Sequence, residues 1–234
     1  MSVFKFSKIV NDVNSILLPL LCFGCNAHLI GGERHLCTVC RNHLPLTDYN
    51  YNEENAIDRI FYGRINIKKA SSFLFFSHKG MVKNLIHFLK YKNQQEIGVF
   101  LGDWFGSLIR DNGYLKNIDL VIPVPLHPKK LKKRGYNQVS VFAKKLAFYL
   151  EAEYADNLLI KTSNTTTQTA KNRLYRYFNS KDLFTVTQPE LLKNKRILLV
   201  DDVITTGATM EACGKALLQH NSTELYIASM AVVP

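Results

Sequence analysis

Two adjacent carboxylates, Asp201 and Asp202, follow the apolar run Ile197-Leu198-Leu199-Val200 and precede Val203-Ile204-Thr205-Thr206-Gly207-Ala208-Thr209. The apolar run reads as a strand, and open α/β sheets bind ligands just beyond the carboxyl ends of their strands. The Thr-Thr-Gly-Ala-Thr stretch reads as a short loop that opens a helix. Such a loop suits a phosphate: a glycine allows close backbone approach, successive N–H groups form an anion nest, and the helix turns its positive end towards the ligand. Carboxylates beside a phosphate loop make chemical sense once a sugar lies between them. The acids accept from ribose hydroxyls, the loop holds the 5′-phosphate, and the acids favour positive charge developing at C1 as a leaving group departs. An acidic strand end followed by a Thr-rich helix cap is the plainer alternative, and the order of thirteen residues argues against it.

The same stretch resembles the fingerprint of type I phosphoribosyltransferases, which bind 5-phosphoribosyl-1-pyrophosphate (PRPP). The resemblance implies that Asp201 and Asp202 hold the ribose hydroxyls and that Val203, Ile204, Thr205, Thr206, Gly207, Ala208 and Thr209 hold the 5′-phosphate. A second segment, Val121-Ile122-Pro123-Val124-Pro125-Leu126-His127-Pro128-Lys129-Lys130 followed by Arg134-Gly135-Tyr136-Asn137-Gln138, resembles the ComF competence family, a branch of that fold. Related enzymes place their pyrophosphate loop here, which implies pyrophosphate contacts from Pro125, Leu126, His127, Lys129, Lys130 and Arg134. The three cationic side chains fit that role physically, as donors to a dense negative charge. Gln168, Arg173 and Arg176 fall at the family's spacing in its flexible loop. Magnesium is implied with PRPP, since Mg²⁺ prefers a few oxygen ligands together with water and substrate phosphates.

Cys22-x-x-Cys25 and Cys37-x-x-Cys40 form two knuckles separated by eleven residues. Each can present two thiolates to one tetrahedral zinc, and four protein ligands make a closed, structural site. Two disulfides, a redox pair and an iron–sulfur centre are the alternatives. A cytoplasmic setting counts against disulfides, and neither pair has the strand–helix context of a redox motif. His28, His35 and His43 lie nearby as bystanders, and Cys213 reads as a small buried residue.

These groups need elements to position them. Strand-like runs at 71–77, 118–124, 196–200 and 224–233 alternate with helical patterns at 82–90, 96–110, 137–150 and 209–219. Residues 162–169, rich in hydroxyls, read as a loop. The alternation predicts an α/β fold, a type I phosphoribosyltransferase-like parallel sheet flanked by helices. It is preceded by a small N-terminal four-cysteine zinc module. The expected divisions are a zinc ribbon over 1–46, a polar linker over 47–64 and the phosphoribosyltransferase-like domain over 65–234.

With 234 residues, 47% of them hydrophobic, the chain is long enough to bury a core and too apolar to be disordered. The longest apolar run, near 16–23, is interrupted by Pro19 and Cys22, so no membrane insertion is expected. The first residues lack the order of a signal peptide, which makes a cytoplasmic location the expectation. A net charge of +11 is concentrated in two acid-free segments, 120–150 and 157–181. Such segments suit a pyrophosphate or a nucleic acid backbone, although a merely solvated basic surface has the same composition.

These features support three readings. One is an enzyme moving phosphoribose from PRPP to an acceptor, linked to DNA uptake. Another is a non-catalytic competence factor that senses PRPP or handles single-stranded DNA, with Tyr136, Tyr175, Tyr177 and Phe178 as stacking platforms. In the third, the zinc module docks onto other competence or DNA-uptake proteins.

Overall fold

The computed structural model describes residues 20–113, 115–162, 183–219 and 223–234. The strands are β1 Lys69–Phe75, β2 Leu120–Pro123, β3 Glu153–Tyr154, β4 Leu159–Lys161, β5 Phe184–Val186, β6 Arg196–Ile204 and β7 Glu224–Val232. Five of them form one parallel sheet in the order β1-β7-β6-β2-β3. The other two, β4 and β5, pair antiparallel as a separate ribbon. The helices are α1 Thr38–Asn42, α2 Ala56–Ile60, α3 Met81–Tyr91, α4 Glu96–Asn112, α5 Pro128–Arg134, α6 Ser140–Tyr149 and α7 Ala208–Leu218. The fold is therefore the parallel, helix-flanked sheet that the alternating pattern predicts.

β6 lies at the centre, between β7 and β2. Successive strand residues face opposite sides of a sheet, and this alternation sorts the core into two layers. Leu198 and Val200 pack with α3, α4 and α6, while Ile197 and Leu199 pack with α2, α7 and the β4–β5 ribbon. Helices α4 and α6 approach closely because α4 carries Gly98, Gly102 and Gly106 on one face. A Cβ on these would come within 2.5 Å of Val141, 2.7 Å of Lys145 and 2.4 Å of Tyr149 respectively.

Two of the expected segments pack against the sheet. Residues 47–64, read as a polar, turn-like connector, place several of their polar residues against the sheet. Tyr51 is buried and donates its hydroxyl to the Ile227 carbonyl at 2.9 Å. Asn55 caps α2 and also donates to the Ala70 carbonyl, and buried Asp58 accepts from the Ala70 N–H at 2.7 Å and pairs with Lys69. These polar residues are used inward, which composition cannot reveal. The cysteine module, a segment too small for a core of its own, shares the sheet's: Cys22, Leu36, Cys40 and Leu44 belong to the same apolar layer as Phe73, Leu85 and Phe105.

Candidate functional site

The strand expected over 196–200 continues to Ile204, because β7 keeps pairing with it, Asp201 opposite Ser229 and Ile204 opposite Val232. β2 stops at Pro123, opposite Val200. Asp201 and Asp202 thus sit where the sheet has lost one neighbour, and as consecutive strand residues they face opposite layers. Their environments differ accordingly.

Asp202 is only 5% exposed. Its Oδ1 accepts from Lys90 Nζ at 2.7 Å, and its Oδ2 accepts from the side-chain amide of Gln138. Asp201 is half-buried, with Oδ1 accepting from the Asp202 N–H at 2.8 Å. Burial, followed by the neighbouring Asp202 charge, pushes the Asp201 carboxyl up to about 8; Lys90 and Lys161 act in the opposite direction. One acid is held by the protein, and the other keeps capacity for a ligand.

Beyond β6, residues 205–207 turn into α7. Gly207 has φ 74° and, as the N-cap, supplies no side-chain acceptor; Thr206 Oγ1 accepts from the Ala208 N–H at 3.4 Å, and the following first-turn N–H groups are open to an anion. Thr205, Thr206, Ala208 and Thr209 are exposed, whereas Ile204 is 1% exposed within the strand and Val203 is half-buried there. The part of the fingerprint that faces solvent is therefore 205–209, Gly207 excepted. A Cβ on Gly207 would lie 2.7 Å from Ile60 Cγ2 and 3.1 Å from Phe61 Cε1, so the turn after α2 supports the loop from behind. Arg64 fastens it: Nη1 donates to the carbonyls of Thr206 (2.7 Å) and Ile60 (3.0 Å), and Nε donates to Glu211 Oε2 at 2.8 Å.

On the pyrophosphate side, β2 ends in Pro123 and the chain turns through Val124, Pro125, Leu126 and His127. Asn137 Nδ2 donates to the Val124 carbonyl at 3.0 Å, tying this turn to the start of α6. His127 Nδ1 caps α5 by accepting from the Lys129 N–H, Pro128 occupies the first turn, and Gly135 closes the helix at φ 82°. Helix α5 buries no residue, and Lys129, Lys130, Lys132 and Lys133 all stand exposed. Arg134 instead turns inward. Its guanidinium lies 5.3 Å from the Tyr91 ring centroid and donates to Gln138 Oε1. Tyr136, a candidate stacking platform, is half-buried and donates its hydroxyl to the Leu89 carbonyl.

Gln168, Arg173 and Arg176 lie outside the described residues, as do Tyr175, Tyr177 and Phe178. The ribbon on either side of that segment is described. Lys161 Nζ stands 5.0 Å from the Phe184 ring centroid, and burial lowers the Lys161 pKa, with Lys130 adding to the effect and Cys213 and Asp201 opposing it. Cys213 is fully buried in α7, as its sequence context predicts.

The four cysteines converge. All four Sγ atoms lie within 4.8 Å of one another, and Cys25 and Cys37 are 3.8 Å apart. A tetrahedron with Zn–S bonds of about 2.3 Å has edges of about 3.8 Å, so the cluster fits one zinc ion. None of the four forms a disulfide in this structure. Backbone N–H groups of Cys37 and Cys40 point at the sulfurs of Cys22 and Cys37. Burial pushes the Cys22 thiol up, but N–H donors from Cys37, Cys25 and Gly24 outweigh it and hold it at about 7. His35 Nδ1 lies 3.7 Å from Glu96, and His43 Nδ1 bonds to the Val39 carbonyl, so neither is needed as a ligand.

Sequence reasoning missed three residues that hold the site: Lys90, Arg64 and Glu211. Lys90 and Asp202 are 112 positions apart, and Arg64 and Thr206 are 142 apart. Neither Lys90 nor Arg64 lies in a recognisable motif. Lys90 ends an amphipathic helix, where a cation is unremarkable.

The family described as the phosphoribosyl transferase domain matches residues 137–233. Competence protein F of Haemophilus influenzae is 31% identical over 154 residues, covering 63% of this chain and 66% of that protein. DNA utilization protein YhgH of Escherichia coli O157:H7 is 27% identical over 146 residues, covering 61% and 63%. Competence protein ComFC of Bacillus subtilis is 24% identical over 203 residues, covering 85% and 78%. The chain thus spans just under two thirds of the length of the first two relatives.

Proposed function

We propose that this chain, a homologue of Competence protein F and ComFC with a phosphoribosyl transferase domain, binds PRPP and transfers its phosphoribosyl group to an acceptor in DNA uptake or use. The observation that carries the reading is the combination at the end of the central strand: Asp201, where β6 has outrun β2 but still pairs with β7, then the exposed threonine loop and the Gly207 turn into α7. Few ligands need a carboxylate and a phosphate nest within one residue run, and a 5-phosphorylated ribose does.

In this reading the N–H groups and hydroxyls of Thr205, Thr206 and Thr209 hold the 5′-phosphate, and Asp201 accepts from a ribose hydroxyl. Asp202 defines the other wall of the ribose site. The exposed Lys129 and Lys130 attract the pyrophosphate from the far side of the sheet end. As the C1–O bond to pyrophosphate breaks, its electron pair leaves with the pyrophosphate, and a lone pair on the acceptor forms the new bond to C1. Asp202 and, in its ionised form, Asp201 stabilise the cationic ribosyl centre between these events. Magnesium bound with PRPP would neutralise pyrophosphate charge, and Asp201 and Asp202 would touch it only through water. Four-thiolate zinc ligation by Cys22, Cys25, Cys37 and Cys40 is structural in this scheme. Among the described residues no helix is long and apolar enough to cross a membrane, and we place the protein in the cytoplasm, where PRPP is available.

Calorimetric titration of PRPP, with and without Mg²⁺, tests the reading against the variant Asp201→Asn/Asp202→Asn. Magnesium-dependent binding that disappears in the folded variant is the expected result. No binding to the zinc-loaded parent would sink it.

A second reading is favoured by α5, a helix with four exposed lysines and no buried face. This surface suits a single-stranded DNA backbone, without any turnover. Replacing those lysines should then weaken DNA binding and flatten its salt dependence; a parent protein that binds no DNA excludes it.

A further inference from the structure

Asp202 presents a physical problem. A carboxylate 5% exposed loses most of its hydration, and leaving it without a counter-charge is strongly unfavourable. The structure solves this with residues from two other elements. Lys90, at the end of α3, donates to Oδ1 at 2.7 Å, and Gln138, just before α6, donates to Oδ2. Gln138 is itself buried, and its other end accepts from Arg134. A guanidinium can only donate and a carboxylate can only accept, so the orientation of the Gln138 amide is fixed by its two partners. Lys90, Asp202, Gln138 and Arg134 form one unbroken polar chain.

The end of α3 is fastened to this chain twice more. The Tyr136 hydroxyl donates to the Leu89 carbonyl, and the Arg134 guanidinium lies over the Tyr91 ring. Of three consecutive residues of α3, Leu89 and Tyr91 therefore hold the end of the basic helix α5 and the turn that follows it, and Lys90 between them holds an acid of the site. Lys90 directs one of its three N–H donors at Asp202 and is partly exposed. It sits between the acid pair and the exit of the lysine-bearing helix.

We infer that Lys90 is a positioning residue for the PRPP site: it fixes the carboxylate of Asp202 and, through Gln138, the guanidinium of Arg134. The inference rests on the PRPP reading above. Asp202 held at both oxygens is a rigid wall for the ribose and its charge is compensated before substrate arrives, so no reorganisation is needed on binding. Arg134 held by Gln138 and Tyr91 fixes where α5 ends and hence where Lys129 and Lys130 stand. Ribose end and pyrophosphate end are placed by one network, and removal of Lys90 disturbs both.

The test titrates PRPP with Mg²⁺ into the folded full chain and into Lys90→Met, Lys90→Arg, Gln138→Met, Arg134→Met and Lys90→Met/Arg134→Met. Lys90→Met should weaken PRPP by about 10–100-fold, as happens when groups that orient a ligating carboxylate are removed. Lys90→Arg, which keeps the charge, should recover most of that loss. Lys90 and Arg134 are linked here through Gln138 and Asp202, so the double variant should lose less than the product of the single losses. A network that merely stabilises the fold would shift the unfolding midpoint and leave the PRPP affinity of the folded fraction unchanged. That result, or strictly multiplicative losses in the double variant, overturns the inference. Should Lys90→Met fail to fold, Gln138→Met tests the same network, because it removes the donor to Asp202 and the acceptor for Arg134 at similar volume. A parent that does not bind PRPP overturns the functional reading and this inference together; a parent that binds while the variants bind equally overturns this inference alone.

Discussion

Gly207→Ala is the sharpest test of how the phosphate loop is built. Two separate costs apply. Gly207 has φ 74°, where an L-residue loses about 1–2 kcal/mol. The added methyl would also stand 2.7 Å from Ile60 Cγ2 and 3.1 Å from Phe61 Cε1. Phe61 is fully buried, and Arg64 ties the same turn to Thr206 and Glu211, so the neighbours have little room to retreat. Overpacking of this kind costs about 1–3 kcal/mol. Alanine recovers about 0.4–1 kcal/mol by restricting the unfolded chain. The net expectation is a loss of about 1–4.5 kcal/mol, a sizeable fraction of the about 5–15 kcal/mol that a domain possesses.

Urea unfolding at constant slope measures it. Combination with Ile60→Ala, which removes the atom at 2.7 Å but leaves Phe61 Cε1 at 3.1 Å, separates the two costs: most of the steric share should go in that background and the backbone share should remain. A Gly207→Ala protein within about 0.5 kcal/mol of the parent would refute the reasoning, since surface changes away from any constraint fall in that range. No coupling with Ile60→Ala would refute the steric half alone.

Two further outcomes follow from the same geometry. The Asp201 carboxyl sits at about 8 in the folded chain and near 3.9 when unfolded, so between these values the folded state holds the extra proton and stability falls as pH rises. Asp201→Asn should flatten that fall between about pH 4 and 8 and gain on the parent towards pH 8; parallel urea-midpoint profiles for the two proteins would contradict it. Zinc removal should lower a single cooperative melting transition, because Cys22, Leu36, Cys40 and Leu44 share a core layer with α3 and α4. An unchanged melting temperature after metal loss verified by elemental analysis would count against the zinc site.

Local order along the chain makes parts of this protein legible from sequence. The apolar strand, acid pair, threonine-glycine loop and helix of 197–209 are contiguous, so their neighbours in space are their neighbours in sequence. The CxxC spacings fix two short knuckles in the same way, and their four sulfurs do meet. Helix and strand periods disclose the sheet class, since burial on one face or two leaves a repeating pattern. The full extent of β6 is not legible, because acids end a hydrophobic run without ending the ladder: β7 continues to pair with it through Ile204.

Tertiary structure alone decided the rest. Residues 47–64 look like a polar linker by composition, and only the fold shows that Tyr51, Asn55 and Asp58 are buried, each satisfied by a partner from the sheet. Arg64 and Lys90 carry no local signal at all; they matter because folding brings them to Thr206 and Asp202 across 142 and 112 residues. The inequality of the two acids is also a tertiary fact. Sequence shows two adjacent aspartates, and only the strand's alternation, with different residues waiting on each face of the sheet, makes one of them paired and the other free to meet a ligand. A polar residue's role is set by which groups reach it when water is removed, and that is a property of long-range packing rather than of the residues beside it in the chain.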